Sequence, residues 1–209
     1  MEKHERIIEE ALQLFMKYGI RNITMDDLSK HLGISKRTIY EHFKNKDSLL
    51  LHCIESFSAD QKCQINQIIR ESSHVIDSVY RIIGEKSTLM RNLNPLFMED
   101  MRKYHPAMFK LIHKRYELED NSLTEKLLIK GKEEGIFLPE INTSLVTRFM
   151  QEMLRLFGDN EVFPYEQYNR IEMIDNIFLA FIRGLCTTKG LKILESFKQV
   201  NQGQTPGLK

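Results

Sequence analysis

"ITMDDLSKHLGISKRTIYEHFKNK", Ile23 to Lys46, decides the fold. It contains two short helical patterns joined at a glycine. Thr24 stands before the first pattern, where a hydroxyl caps a helix, and Asp26 and Asp27 fill the first turn, where the helix dipole favours anions. Leu28 and Leu32 lie one turn apart on its apolar face, and Gly33 ends it. Ser35 caps the second pattern, which runs to about His42 with Ile39 and Phe43 turned inward. A short helix, a tight glycine turn and a second short helix form a helix-turn-helix.

Working outward, helical spacing recurs to both ends of the chain. Lys3 to Tyr18 places Ile7, Ile8, Ala11, Leu12, Phe15 and Met16 on one face and stops at Gly19. Asn45 caps a long helix to about Glu71. Further helices are expected from about His74 to Arg91, from Asn94-Pro95, and from Pro106 towards Glu134. The last two run from Asn142 or Thr143 to about Phe157, and from about Glu166 to Thr188. No stretch reads as a strand. The expectation is an all-α chain of about nine helices. A helix-turn-helix domain occupies residues 1–48, a larger helical body residues 49–199, and a disordered tail residues 200–209.

The chain has 209 residues and a formal net charge of only +1. Between Lys30 and Lys46, however, Lys30, Lys36, Arg37, Lys44 and Lys46 face the single acid Glu41. Nucleic-acid affinity therefore has to come from this local patch. Lys36, Arg37 and Thr38 open the second helix, the end of a recognition helix that meets base edges. Lysine and arginine donate to guanine, and a threonine methyl touches thymine. Tyr40, His42 and Lys46 suit phosphates, as do the cap positions Thr24 and Ser35.

The stretch Ile23 to Leu50 resembles the DNA-binding module of TetR-family transcriptional regulators. "RIIEEALQLFMKYGIRN", Arg6 to Asn22, resembles that family's first helix and its glycine break. Thr24, Gly33, Ser35, Thr38, Tyr40, Phe43 and Lys46 fall where the family pattern has them. Leu32 stands where the family often has alanine, and Arg37 where it often has glycine, so no family operator is carried over. The resemblance covers about residues 5 to 55. It implies an N-terminal DNA-binding domain and a C-terminal ligand-binding and dimerisation domain. Repression relieved by a small effector is that family's common mode, with activation left open; a two-fold dimer would make the double-stranded DNA operator a near-palindrome, and three sparse cysteines without an export signal point to the cytoplasm.

In the body, a methionine-rich stretch is the expected wall of a largely apolar effector pocket: Met90, Phe97, Met98, Met101 and Phe109. Plain core packing explains the same residues. Phe149 and Met153 on one late helix, and Ile174, Phe178 and Phe181 on the last, lie on apolar faces wider than one core needs. They are the expected homodimer interface. The rival reading is a DNA-binding regulator without a small-molecule effector, controlled by its abundance or by a protein partner.

Enzyme readings fare poorly, since no Gly-x-Ser-x-Gly, glycine-rich phosphate loop or His-Glu-x-x-His is present. No cofactor or metal is expected, because His52, Cys53 and Cys63 match no established ligand spacing. Three sparse cysteines fit a reducing compartment. The longest apolar run, Ile177 to Ile182, is far too short for a membrane helix, so no membrane partner is expected.

Overall fold

The computed structural model describes residues 3–159, 161–164 and 166–202. In order come α1 (Lys3–Tyr18), α2 (Met25–Leu32), α3 (Lys36–His42), α4 (Lys46–Glu71), α5 (Val75–Asn92) and α6 (Pro95–Tyr104). They are followed by α7 (Pro106–Glu133), α8 (Thr143–Gly158), α9 (Arg170–Met173), a π-helical turn (Ile174–Phe178), α10 (Leu179–Gly184) and α11 (Thr188–Gln202). Among the described residues the only β-type pairing is an isolated bridge between Phe137 and Cys186. The helices α2, α3, α4, α6 and α8 begin at the side-chain caps Thr24, Ser35, Asn45, Asn94 and Asn142. No helix of the described residues is long and apolar enough to cross a membrane.

The C-terminal region departs from the sequence reading. One helix from Glu166 to Thr188 was expected, and about nine in all. Here α9, the π turn and α10 follow one another, and the chain leaves the helix after Gly184. In the π turn the Leu179 N–H reaches the Ile174 carbonyl five residues back, so one residue is added without breaking the apolar face. Leu138 N–H then donates to Leu185 O, and Thr187 N–H to Ile136 O, each at 2.9 Å. This distant pairing turns the chain into α11, whose start is capped by Thr187: its Oγ1 accepts from Gly190 N–H at 3.1 Å, a local signal the sequence reading missed. Gly190 near the start of α11 has no room for a side chain, because a Cβ there would sit 2.2 Å from the Ile136 carbonyl oxygen. The helix α11 includes residues 200–202, and the rest of the expected tail lies outside the described residues.

The chain forms two compact units. Unit 1 contains Met1–Ile68 and Glu85–Lys114, and unit 2 contains Ile69–Gly84 and Arg115–Lys209. The expected boundary at residue 48 falls inside α4. In unit 1 the core is Ile7, Ala11 and Phe15 of α1, Leu28 of α2, Ile39 of α3, and Leu49 and Leu50 of α4, each at most 1 % exposed. Burying each of the leucine, isoleucine and phenylalanine side chains contributes about 1.5–3 kcal/mol. Phe97 and Met101 of α6 belong to the same core. The core of unit 2 joins Val75 and Ile76 to Leu128, Phe137, Met150, Phe178, Ile182 and Leu194.

Candidate nucleic-acid interface

Three local devices hold the helix-turn-helix of unit 1. The Thr24 hydroxyl accepts from Asp27 N–H at 3.2 Å, and the Asp27 carboxylate accepts from Thr24 N–H at 2.9 Å. This reciprocal box fixes the start of α2. Hydrogen bonds from the Thr24 hydroxyl and then from its N–H hold the Asp27 carboxyl below its ordinary range. At the other end Gly33 has a φ of 66°, the left-handed value that glycine adopts without cost. Its N–H donates to Lys30 O, and the Ile34 N–H to Ser29 O, which satisfies carbonyls that α2 would leave bare. The Ser35 Oγ then accepts from Thr38 N–H at 3.1 Å and caps α3.

The helix α3 buries Ile39 and leaves most of its remaining surface open. Lys36 Nζ lies 3.0 Å from Asp26 Oδ1 of α2. That hydrogen bond, and the Asp26 charge behind it, raise the lysine pKa and keep it cationic. Arg37 is 89 % exposed at its side chain and pairs with Glu41 at 3.2 Å. Both pairs are solvated and screened by salt, so they are weak enough for a phosphate or a base edge to displace. The Thr38 hydroxyl is 2.9 Å from Ser35 Oγ, which leaves its methyl for an apolar contact. Tyr40 is 45 % exposed, and the His42 ring stands 5.8 Å from His4.

Lys46 behaves differently from the other expected contacts. Its ammonium donates to the Ile20 carbonyl and lies 5.7 Å from the Phe15 ring. Burial lowers its pKa, opposed by the charges of Asp100, Asp47 and Asp27. It ties the start of α4 to the turn between α1 and α2.

That turn is also held from α6, a connection the sequence reading missed. Asn94 donates from its backbone to Met16 O and from its side chain to Lys17 O, each at 2.9 Å, and so caps the end of α1. Asp100, 7 % exposed, accepts from Arg21 N–H at 2.9 Å. Arg21 continues to the Tyr104 hydroxyl at 2.7 Å, with its guanidinium 4.3 Å over that ring. His105 Nδ1 lies 3.4 Å from Asp47 Oδ1 at the start of α4. A cleft of about 360 Å³ runs between Arg21, Asn22, Leu96, Glu99, Asp100 and Tyr104. The Asn94-Pro95 helix start was legible. Its contacts were not, because they join residues more than fifty positions apart.

The five expected pocket residues do not line this cleft. Phe97 and Met101 are buried in the unit 1 core, Phe109 packs against it, and Met98 is exposed. The side chain of Met90 lies outside the described residues. Of the expected interface residues, Phe149 is 54 % exposed and its ring stands 5.0 Å from that of Phe181. Met153 and Phe178 are buried in the core of unit 2, with Ile174 packed against it.

The geometry defines a helix-turn-helix DNA-binding domain, and comparison with known proteins places it. Residues 7–53 match the family described as bacterial regulatory proteins, tetR family. This stretch is similar to the DNA-binding domain of that family. Its relatives are transcriptional regulators, not enzymes. An uncharacterized HTH-type transcriptional regulator of Bacillus subtilis, YvaF, is 35% identical over 103 residues, 48% of this chain and 53% of the relative. The HTH-type transcriptional regulator SAB2452 of Staphylococcus aureus is 42% identical over 55 residues, 26% of this chain and 30% of the relative. The matched region thus spans about half or less of these relatives. The fold extends further. A transcriptional regulator from Cytophaga hutchinsonii superposes with a TM-score of 0.71 at 18% identity, over 88% of this chain and 98% of its own. A TetR-family regulator from Agrobacterium tumefaciens does so with 0.66 at 14% identity, over 88% and 98%.

Proposed function

We propose that the protein is a ligand-responsive transcriptional repressor of the cytoplasm that leaves a near-palindromic operator when a small, largely apolar effector binds. The observation that carries this reading is the open face of α3, held at both ends by Ser35 and by the left-handed Gly33 turn. Lys36, Arg37 and the Thr38 methyl select bases there, while Tyr40 and His42 grip phosphates. Thr24 and Ser35 present helix N-termini to the backbone. Lys46 adds charge near a phosphate while it braces the α1–α2 turn.

A two-fold dimer through Phe149 and Phe181, with Leu145 and Ile177 exposed nearby, would set two copies of α3 about one helical turn of DNA apart. Burial of Phe97 and Met101 in the unit 1 core favours a role for α6 as a relay into the DNA-binding unit. The same burial is what the effector-free reading expects of these residues, with control by abundance or by a protein partner.

The test is selection of DNA from a random pool, followed by fluorescence anisotropy on the selected duplex. Arg37→Ala should relax preference at one base pair and cost about 1–3 kcal/mol, the size of a bidentate guanine contact. Unchanged affinity and unchanged preference in that variant would discard this recognition face. Selection that returned no two-fold symmetric sequence would discard the dimeric operator.

A further inference from the structure

Three imidazoles meet where α1, α3 and α4 join. The His4 ring stacks on Phe43 at 4.9 Å, and its edge contacts with His42 and with His52 are each 5.8 Å between ring centres. His52 also stands edge-on to Phe43 at 5.4 Å. Phe43 is 1 % exposed and is the C-cap of α3. The cluster therefore packs the first turn of α1 and the second turn of α4 against the end of α3. His31 pairs with Glu10 at 2.8 Å and His105 with Asp47 at 3.4 Å. His4, His42 and His52 meet one another instead.

Histidine is the side chain whose charge ordinarily changes between about pH 5 and 8. Two unit charges 5.8 Å apart disfavour each other about threefold in water and about 100-fold at the effective dielectric near a protein surface. His4 touches both other rings, so a charge on it is opposed from two sides. His42 is exposed and lies in the last turn of α3, where the helix dipole favours a cation. His52 Nδ1 donates to the Ser48 carbonyl at 2.7 Å, so a proton adds at its Nε2. The fixed charges around the cluster are mixed in sign. On α1, Lys3, Glu5 and Arg6 flank His4, and Arg6 donates to Leu32 O of α2. Beside His42, Glu41 is paired with Arg37 at 3.2 Å, and Lys44 follows Phe43. On α4, Asp47 lies near His105, and Glu55 comes one turn after His52. The three rings themselves thus decide how many protons the cluster holds.

We propose that His4 and His42, with His52 behind them, form a pH switch on DNA binding, in which His42 takes up a proton where it meets the DNA backbone and His4 has to stay neutral for that charge to persist. The proposal rests on the reading of α3 as the DNA-facing helix. A phosphate beside His42 favours its cation, so DNA binding and proton uptake support each other, and affinity rises as pH falls from about 8. A proton on His4 then sets a second cation against the first, and affinity declines again in acid.

The experiment is fluorescence anisotropy of the full chain on its selected duplex between about pH 8 and pH 5, at constant ionic strength and with EDTA, for the wild type, His42→Gln and His4→Phe. Melting curves at each pH verify that the proteins stay folded. Wild-type affinity should rise about three- to tenfold from pH 8 to a maximum near pH 6, then decline by a similar factor towards pH 5. His42→Gln should lose the rise. His4→Phe keeps an aromatic ring on Phe43, and it should keep the rise and lose the decline. NMR of the histidine ring carbons follows each ring in the DNA-free protein, and His4 should take its proton at higher pH once His42 is replaced by glutamine. That readout needs a change at one exposed residue only. A flat wild-type profile, or the wild-type profile in both variants, would overturn the switch. Unlinked titrations of His4 and His42 beside intact DNA binding discard the switch and leave the reading of α3 standing. If the two rings titrate as a pair but selection returns no DNA, the reading of α3 fails and the switch with it.

Discussion

Asp100→Ala tests whether α6 works as part of the DNA-binding unit. The carboxylate is 7 % exposed and accepts from Arg21 N–H at 2.9 Å. Alanine would strip that amide of its acceptor and remove a charge that favours the protonated form of Lys46. A hydrogen bond to a charged group contributes about 1.5–3 kcal/mol, so the α1–α2 turn should open about 10- to 150-fold more often. Asp100→Asn keeps a carbonyl in the same place, and its effect should stay below about tenfold. Amide hydrogen exchange followed by NMR reads the opening residue by residue. The Phe43 amide, bonded to Ile39 O at 2.9 Å at the end of α3, is the internal control. Arg21 should lose protection in the alanine variant far more than Phe43. DNA affinity should fall with it, because Thr24 follows only three residues later. Equal Arg21 protection in the wild type and Asp100→Ala would refute the coupling of α6 to this turn.

Other outcomes follow from the same geometry. Ser35→Ala should lower stability by about 0.5–2 kcal/mol and weaken DNA binding, measured by thermal denaturation and anisotropy on the selected duplex. The Asp27 carboxyl titrates below its ordinary value of 3.8, so the cap it shares with Thr24 is fully effective above that pH and fades as pH falls through the lower folded value. The difference in melting temperature between wild type and Asp27→Asn should therefore shrink in acid. Burial pushes the Cys53 thiol up to about 12 and the Cys186 thiol to about 11, from 9.0. Unfolded thiols ionise first, so stability should decline as pH rises through 9 towards these values. Iodoacetamide should label Cys63 alone in the folded protein and all three cysteines in urea. Phe149→Glu should yield a monomer by light scattering and lose tight operator binding.

Much of unit 1 is legible in the sequence because its boundaries are chemical. Thr24, Gly33, Ser35, Asn45 and Asn94-Pro95 each satisfy or end a helix within four residues, and a linear reading reaches that far. What escaped it has two physical causes. The π turn leaves no trace, since Ile174, Phe178 and Ile182 keep an apolar face while the backbone takes in an extra residue. Contacts across the chain leave none either. Lysine at the first position of α4 looks like a phosphate ligand, and nothing nearby shows that the Ile20 carbonyl will take its ammonium. A methionine-rich stretch reads equally as pocket wall or as core, and which side of α6 meets α1 decides the matter for Phe97 and Met101.

The packing of α6 into the first core has a consequence for anyone who would graft this helix-turn-helix onto a sensor domain. A transplant cut after the helix-turn-helix would leave behind Asn94, which closes the end of α1, and Asp100, which holds Arg21. It would also bare the apolar surface that Phe97 and Met101 cover. A working hybrid has to carry residues 94–101 along with the first helices, or come from a host whose own sixth helix offers the same amide, carboxylate and two apolar side chains.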